Sequence, residues 1–277
     1  MHTVMEPLQV KYDRLKQILR EMRRVAVAFS GGVDSAVLLR SACDVLGDKV
    51  TAVTAVSETT PKHELENAVL LADRLGVKHL QISTRELDLA EFVVNTRQRC
   101  YICKKYRFEV VRQAAQKNGF DILVDGENVD DADDFRPGRR AARELGIRHP
   151  LVDAGLNKAD VRNLSKQLGL HTWNRPSSAC LASRIPYGMP ITAEKLRQVD
   201  EAEDFIRRLN VCRQVRVRHE EATARIEVDT DAIVRLTAPS IRNRIIRCLR
   251  HLGFRFVALD LEGYRIGSLN EDVYNEF

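Results

Sequence analysis

Residues 25–39 read VAVAFSGGVDSAVLL. A short apolar run, Val25 to Phe29, meets Ser30, Gly31 and Gly32, and an apolar stretch with helical spacing follows from Asp34 to Leu46. A buried strand turning through glycines into a helix suits an anion. Small residues let backbone amides approach a phosphate, and the helix N-terminus adds about half a positive charge. Ser30, Gly31, Gly32, Asp34 and Ser35 are therefore candidate nucleotide-binding residues. The order is neither GxxxxGK[ST] nor GxGxxG, which argues against phosphate gripping through a loop lysine and against hydride chemistry. A turn in which Asp34 and Ser35 only cap the helix is the competing reading, and it leaves the complete order of strand, SGGxDS and apolar helix unexplained.

Outward from this turn, helical spacing is expected over Leu8–Met22, Lys62–Leu75, Arg107–Lys117 and Ala159–Leu168, and strands over Val50–Val56, Lys78–Ile82 and Ile122–Val124. Strands alternating with helices imply a parallel sheet covered on both faces, an α/β domain. Residues 125–150, DGENVDDADDFRPGRRAARELGIRHP, are too polar for a core and read as an active-site connection. Residues 173–190 read as a loop, and a domain boundary is expected there, giving 1–188 and 189–277. Beyond it, helices over Ala193–Leu209 and Ser240–Leu252 and strands over Gln214–Arg218, Ala224–Val228 and Phe254–Leu259 describe a smaller α+β domain.

The 277 residues, 44% hydrophobic and 30% charged, fit an ordinary globular protein of one large or two medium domains. No apolar run approaches the ~18 residues of a membrane span, and the start MHTVMEPLQVKYDRLKQ lacks a secretory apolar stretch, so a cytoplasmic location is expected. A net charge of +5 is too mild and dispersed to require nucleic acid. The 33 Arg against 11 Lys favour bidentate gripping of carboxylate or phosphate, or reflect genome composition.

Six cysteines in such a chain are reduced thiols, metal ligands or catalysts rather than a disulfide frame. Cys100 and Cys103 stand in RQRCYICKKYR, where Arg97, Arg99, Lys104, Lys105 and Arg107 favour thiolates. A lone CxxC leaves zinc, iron–sulfur and redox chemistry open, and the missing second cysteine pair disfavours a zinc ribbon. Cys180, in SSACLASRIPYG, is expected as an exposed thiol beside the anion-binding guanidinium of Arg184.

SGGVDS resembles the pyrophosphate loop of the ATP-pyrophosphatase superfamily, which cleaves ATP between the α and β phosphates to adenylate a substrate. DGENVDD after the strand ILV resembles that superfamily's GxNxDD turn, implying Gly126, Asn128 and Asp130 or Asp131 near the nucleotide or its Mg²⁺. AFSGGVDS, DGENVDDADDFRPGRRAARELG, TWNRPSSACLASRIPYG, VRVRHEEATARIEV and GFRFVALDLEGYRIGSLN extend the resemblance nearly end to end. Together they resemble the ATP-dependent sacrificial sulfur transferases of the LarE family, which thiolate the precursor of the nickel-pincer nucleotide cofactor of lactate racemase.

The resemblance implies a PP-loop fold of the adenine nucleotide alpha-hydrolase type and a homo-oligomer. It implies as substrate pyridinium-3,5-biscarboxylic acid mononucleotide, whose carboxylate is adenylated and then attacked by sulfur. One branch of the family gives up the sulfur of a cysteine at the Cys180 position; the other holds a [4Fe–4S] cluster on three cysteines. Cys100, Cys103 and Cys180 supply three thiolates and favour the cluster branch, leaving Cys43, Cys212 and Cys248 structural. The substrate's carboxylates and phosphate match arginine forks, so Ser183, Arg184, Arg216, Arg218, Arg265, Arg136 and Arg139 are candidate contacts, with Glu203 as a functional acid or a solvated helix residue. Arg216 and Arg218 lie two apart on a strand and share a face. Trp173 and Tyr101 could stack on the pyridinium ring or simply pack; Tyr101 and Ile102 stand where the family carries a substrate-side tryptophan. The alternatives are a tRNA thiolase, for which no RNP or KH signature is present, an ammonia-using ligase, and a non-enzymatic carrier.

Overall fold

The computed structural model describes residues 6–132, 137–176 and 179–265. In chain order its first helices and strands are α1 (Leu8–Met22), β1 (Val25–Ala28), α2 (Val33–Leu46), β2 (Val50–Val56), α3 (Lys62–Arg74), β3 (Lys78–Ser83), α4 (Ala90–Val93), α5 (Arg99–Lys117) and β4 (Ile122–Val124). There follow α6 (Pro137–Glu144), α7 (Pro150–Asp153), α8 (Lys158–Gln167), α9 (Ala193–Arg208), β5 (Val215–Glu220), β6 (Thr223–Val228), α10 (Ile233–Thr237), α11 (Pro239–His251) and β7 (Phe256–Leu259). Among the described residues no helix is long and apolar enough to cross a membrane.

The chain divides into two compact units, residues 1–57, 63–86 and 98–178 in one, and residues 58–62, 87–97 and 179–277 in the other. The first unit holds a parallel sheet in the order β3-β2-β1-β4, with Val25 beside both Val50 and Ile122. Alternate side chains leave opposite faces. Val25 and Val27 join Leu15, Leu19, Leu38, Leu39 and Leu164 in one core, while Ala26 and Val53 join Phe108, Val111 and Leu123 in another. Central strands buried on both faces explain the near-continuous apolar runs of β1 and β2.

Two expectations change here. The helix expected from Arg107 begins at Arg99, so both cysteines of the CxxC lie on its first turns. The polar connection 125–150 contains α6, whose Arg140 and Glu144 pair along one face. The start of α8 follows from a capping box, in which Asn157 accepts from the Asp160 amide and Asp160 reaches back to the Asn157 amide.

In the second unit β5 pairs antiparallel with β6, and β6 pairs in parallel with β7 after the α10 and α11 crossover. Leu196, Val199, Ala202 and Ile206 form the buried stripe of α9. The chain joins this unit at residue 179, earlier than the boundary expected after 188. Backbone bonds explain the shift: the Leu181 amide donates to the Thr59 carbonyl, Gly188 to Asn95 and Ile191 to Val93. Asn95, buried at φ +60°, donates its side-chain amide to the Pro186 (2.7 Å) and Met189 (2.8 Å) carbonyls.

Close approach fixes the end of β4 in the first unit. A methyl group at Gly126 would stand 2.7 Å from the Ser35 nitrogen and 3.0 Å from the Asp34 carbonyl carbon, both backbone atoms at the start of α2. The Gly126→Ala variant should lose about 1–3 kcal/mol of stability through overpacking. It should also bind a non-hydrolysable ATP analogue more weakly; a parental melting temperature with parental affinity would refute the role assigned to this contact.

Candidate functional site

The turn after β1 is built for an anion. Phe29 still donates to the Val53 carbonyl (2.9 Å), Gly31 takes φ +75°, and Gly32 caps α2 in an extended conformation. A side chain at Gly31 would also crowd Ala68 of α3 at 3.1 Å. The Ser35 hydroxyl lies 3.2 Å from that of Ser30 and donates to the Gly32 carbonyl, while the Gly32 amide donates to Ser30 Oγ (3.3 Å). These bonds hold a turn at the positive end of a fourteen-residue helix.

The GxNxDD-like turn meets this loop. Asn128 Nδ2 donates to Asp34 Oδ1 (3.2 Å) and Asp131 Oδ2 (2.7 Å), and its Oδ1 accepts from the Asp130 amide. Ser30, Gly31, Gly32, Asp34, Ser35, Gly126 and Asn128 thus share one neighbourhood. Lys158 belongs to it as well: its ammonium is 2.5 Å from Asp34 Oδ2, and its amide donates to Asp130 Oδ2 (3.0 Å). Sequence reasoning missed this lysine, because a residue opening a helix after its cap has no local mark of such a role. Arg175 stands at the loop too, bonded to Glu64 (3.1 Å) with its other nitrogen 3.5 Å from the Gly31 carbonyl.

Cys100 and Cys103, three apart on α5, lie on neighbouring positions of one helical face. Cys100 is exposed and Cys103 half-buried. Tyr101 between them donates to Glu144 (2.7 Å), with Arg140 and Lys105 over its ring, so it packs α5 against α6. Trp173 is 40% exposed, with the Lys166 ammonium 5.2 Å from its ring centre. The three other cysteines are half-buried; burial pushes Cys43 and Cys212 up to about 11 and raises Cys248.

Most of the remaining candidates lie in the second unit. Cys180 is exposed and caps a short 3-10 turn, Leu181–Arg184. Arg184 corrects an expectation. It is fully buried, forked onto Glu203 (2.8 and 3.0 Å), and donates to the Ala179 and Cys180 carbonyls (2.8 and 3.0 Å) and to Ser183 Oγ. It holds the turn that carries the thiol. Glu203 is no solvated helix residue either; buried on α9, it also accepts from the Val217 amide (3.0 Å).

Arg216 and Arg218 do share a face. Arg218 forks onto Glu227 (2.9 and 2.7 Å) and donates to the Ser183 carbonyl. Arg216 lies over the Tyr264 ring and 4.0 Å from Glu203 Oε2; burial, then the charge of Arg184, pushes it down to about 10. Arg265 pairs with Glu262 (2.7 Å), Arg139 of the first unit pairs with Glu127, and Arg136 lies outside the described residues.

Residues 5–134 match a family model described as a PP-loop domain. Loop, sheet and match define a PP-loop ATP-binding protein. The relatives include an uncharacterized protein of Synechocystis sp., 40% identical over 95% of this chain and 98% of its own. They also include the pyridinium-3,5-bisthiocarboxylic acid mononucleotide synthase of Lactiplantibacillus plantarum, 39% identical over 96% of each chain. An uncharacterized protein of Methanocaldococcus jannaschii is 30% identical over 92% of this chain and 97% of its own. The chain therefore belongs to the LarE family of PP-loop proteins, the family of that synthase.

Burial alone would lift the Glu203 carboxyl, but Arg184 and then Arg216 hold it below its ordinary 4.5. Its contribution to stability is therefore complete above that value and lost as pH falls through the depressed one. Glu203→Gln, which strands a buried guanidinium, should cost ~3–5 kcal/mol at neutral pH. Urea unfolding across a pH series should show that difference constant down to about 4.5 and shrinking below it. A difference independent of acid pH would contradict the ionised pair.

Proposed function

We propose that this chain is an ATP-dependent sulfur transferase, forming AMP and pyrophosphate, that converts a carboxylate of pyridinium-3,5-biscarboxylic acid mononucleotide to a thiocarboxylate in nickel-pincer nucleotide biosynthesis. The observation that carries this is the 39% identity to the Lactiplantibacillus synthase over 96% of both chains. The loop geometry agrees with it. A substrate carboxylate oxygen attacks the α-phosphorus of ATP, the bond to the bridging oxygen breaks, and pyrophosphate leaves. A sulfur nucleophile then adds to the acyl carbon and expels AMP.

The amides at the start of α2 and the hydroxyls of Ser30 and Ser35 receive the pyrophosphate oxygens. The carboxylates of Asp34, Asp130 and Asp131 are hard oxygen donors suited to a Mg²⁺ that neutralises the departing charge. Arg216 is the guanidinium assigned to a substrate anion, supported by Arg184, Arg218 and Glu203, which fix its surroundings. Ser183 and Arg265 complete the proposed substrate contacts. A homo-oligomeric assembly is part of the same proposal.

Two of the three thiols proposed for a cluster are exposed. Cys100 and Cys180 are exposed, while Cys103, like Cys43, Cys212 and Cys248, is half-buried. A [4Fe–4S] cluster on Cys100, Cys103 and Cys180 would supply a sulfide at the iron that lacks a protein thiolate. A second reading has support of its own. Cys180 is exposed on a turn whose carbonyl is pinned by Arg184 and Ser183, a geometry that also suits a cysteine giving up its own sulfur.

Pyrophosphate and AMP should form from ATP only when the pyridinium dicarboxylate nucleotide is added; release driven by tRNA instead would move the assignment to a tRNA thiolase. Protein purified without oxygen should carry four irons per chain by the ~[4Fe–4S] stoichiometry, lost in Cys100→Ala, Cys103→Ala and Cys180→Ala. Mass spectrometry after one turnover decides the donor. Unchanged mass over several turnovers supports the cluster, and loss of one sulfur at Cys180 replaces it with sacrifice.

A further inference from the structure

The first unit contains a second side-chain cluster that the proposed sulfur transfer does not use. Asp125 and Glu127 follow β4 on either side of Gly126. Arg148 runs beside Val124 in a parallel bridge, its amide donating to the Leu123 carbonyl (3.1 Å) and its carbonyl accepting from Asp125 (3.0 Å). That pairing delivers His149 to the two acids. Its Nδ1 lies 2.6 Å from Asp125 Oδ1 and 3.9 Å from Glu127 Oε2, and one donor atom from each of the three residues falls within 4.8 Å of the others.

Cations hold only the outer oxygens of this cluster. Lys104 approaches Asp125 Oδ2 (3.8 Å), and Arg139 takes Glu127 Oε1 (2.5 Å). Glu127 Oε2 is buried without a hydrogen-bond partner, on a residue that is 8% exposed. Leaving such an atom bare is costly, so the inward oxygen is placed for a ligand.

We propose that Asp125, Glu127 and His149 bind a divalent first-row transition-metal ion, at a position separate from the all-oxygen Mg²⁺ position assigned to Asp34, Asp130 and Asp131. One imidazole with two carboxylates suits manganese, iron or zinc better than magnesium. On binding, the Nδ1 lone pair goes to the metal and the proton between Nδ1 and Oδ1 leaves to solvent. Lys104 and Arg139, on the outer oxygens, orient the two carboxylates. Three protein donors leave coordination positions for water or for an oxygen of a bound anion. Gly126, between two of the ligands, packs on the Ser35 amide, so the ion would flank the phosphate loop.

The test is a Mn²⁺ titration of the full chain, read by loss of the free-ion electron paramagnetic resonance signal, without nucleotide or pyridinium substrate. Manganese is chosen because thiolates compete for it weakly. Its outcome is therefore independent of whether sulfur transfer occurs. One bound ion should survive Asp34→Asn, and Glu127→Gln and His149→Asn should each weaken binding of that ion by ~10-fold or more. Cys180→Ala and Asp34→Asn should leave it unchanged, and Mn²⁺ should raise the melting temperature of the parent more than that of either ligand variant. Absence of binding to the parent at millimolar Mn²⁺, or binding lost in Asp34→Asn and retained in both ligand variants, would overturn the site.

Discussion

Where Gly126 passes the first turn of α2 there is room for a hydrogen and nothing larger, and the nucleotide-binding arrangement depends on that contact. It brings the end of the edge strand β4 against the loop that leaves its neighbour β1, which the two can do because they pair in parallel. Asn128, two residues on, then reaches Asp34 with its amide, and Lys158 closes on the same carboxylate from the opening of α8. Three chain segments meet at this loop, and a single close approach aligns them. Such a loop is preorganised, its amides fixed before any ligand arrives.

The second unit organises charge in a different way. Arg184 and Glu203 are both buried and form a forked pair, while Arg218 and Glu227 repeat the motif on the sheet. Pairs of this kind add little net stability compared with apolar side chains, but breaking one leaves an uncompensated ion inside the protein. Their value lies in position. Arg184 joins the carbonyls on either side of the exposed thiol to the core of α9, so the turn bearing Cys180 is held from beneath.

Much of the first unit was legible in its apolar periodicity. The span of α1 and the strands β2 and β4 fall where the spacing of Leu, Ile and Val puts them, because each buries a continuous stripe or run. The start of α5 was hidden by the cations from Arg97 to Lys105, which obscure the helical spacing. SGGVDS and GENVDD announce backbone geometry and could be read directly, whereas Lys158, Glu127 and His149 acquire their meaning from residues distant in sequence. Arg184 was misplaced for a related reason: its surroundings of small residues and proline look like an open loop, and only the tertiary partner Glu203 draws it inside. Glu203 itself stands four after Val199 and three before Ile206, a spacing that places it on the buried stripe of its helix.

The second unit is assembled from three separate lengths of chain, two of them short segments emitted long before the third. Thr59, Val93 and Asn95 wait for the backbone groups of residues 181–191 that satisfy them. A ribosome making this protein therefore releases part of the second unit well ahead of its companions, and no single cut in the sequence separates the two units. Such long-range pairings slow folding and leave early segments open to misassociation, so dissection of this chain should follow its spatial seams rather than a single cut.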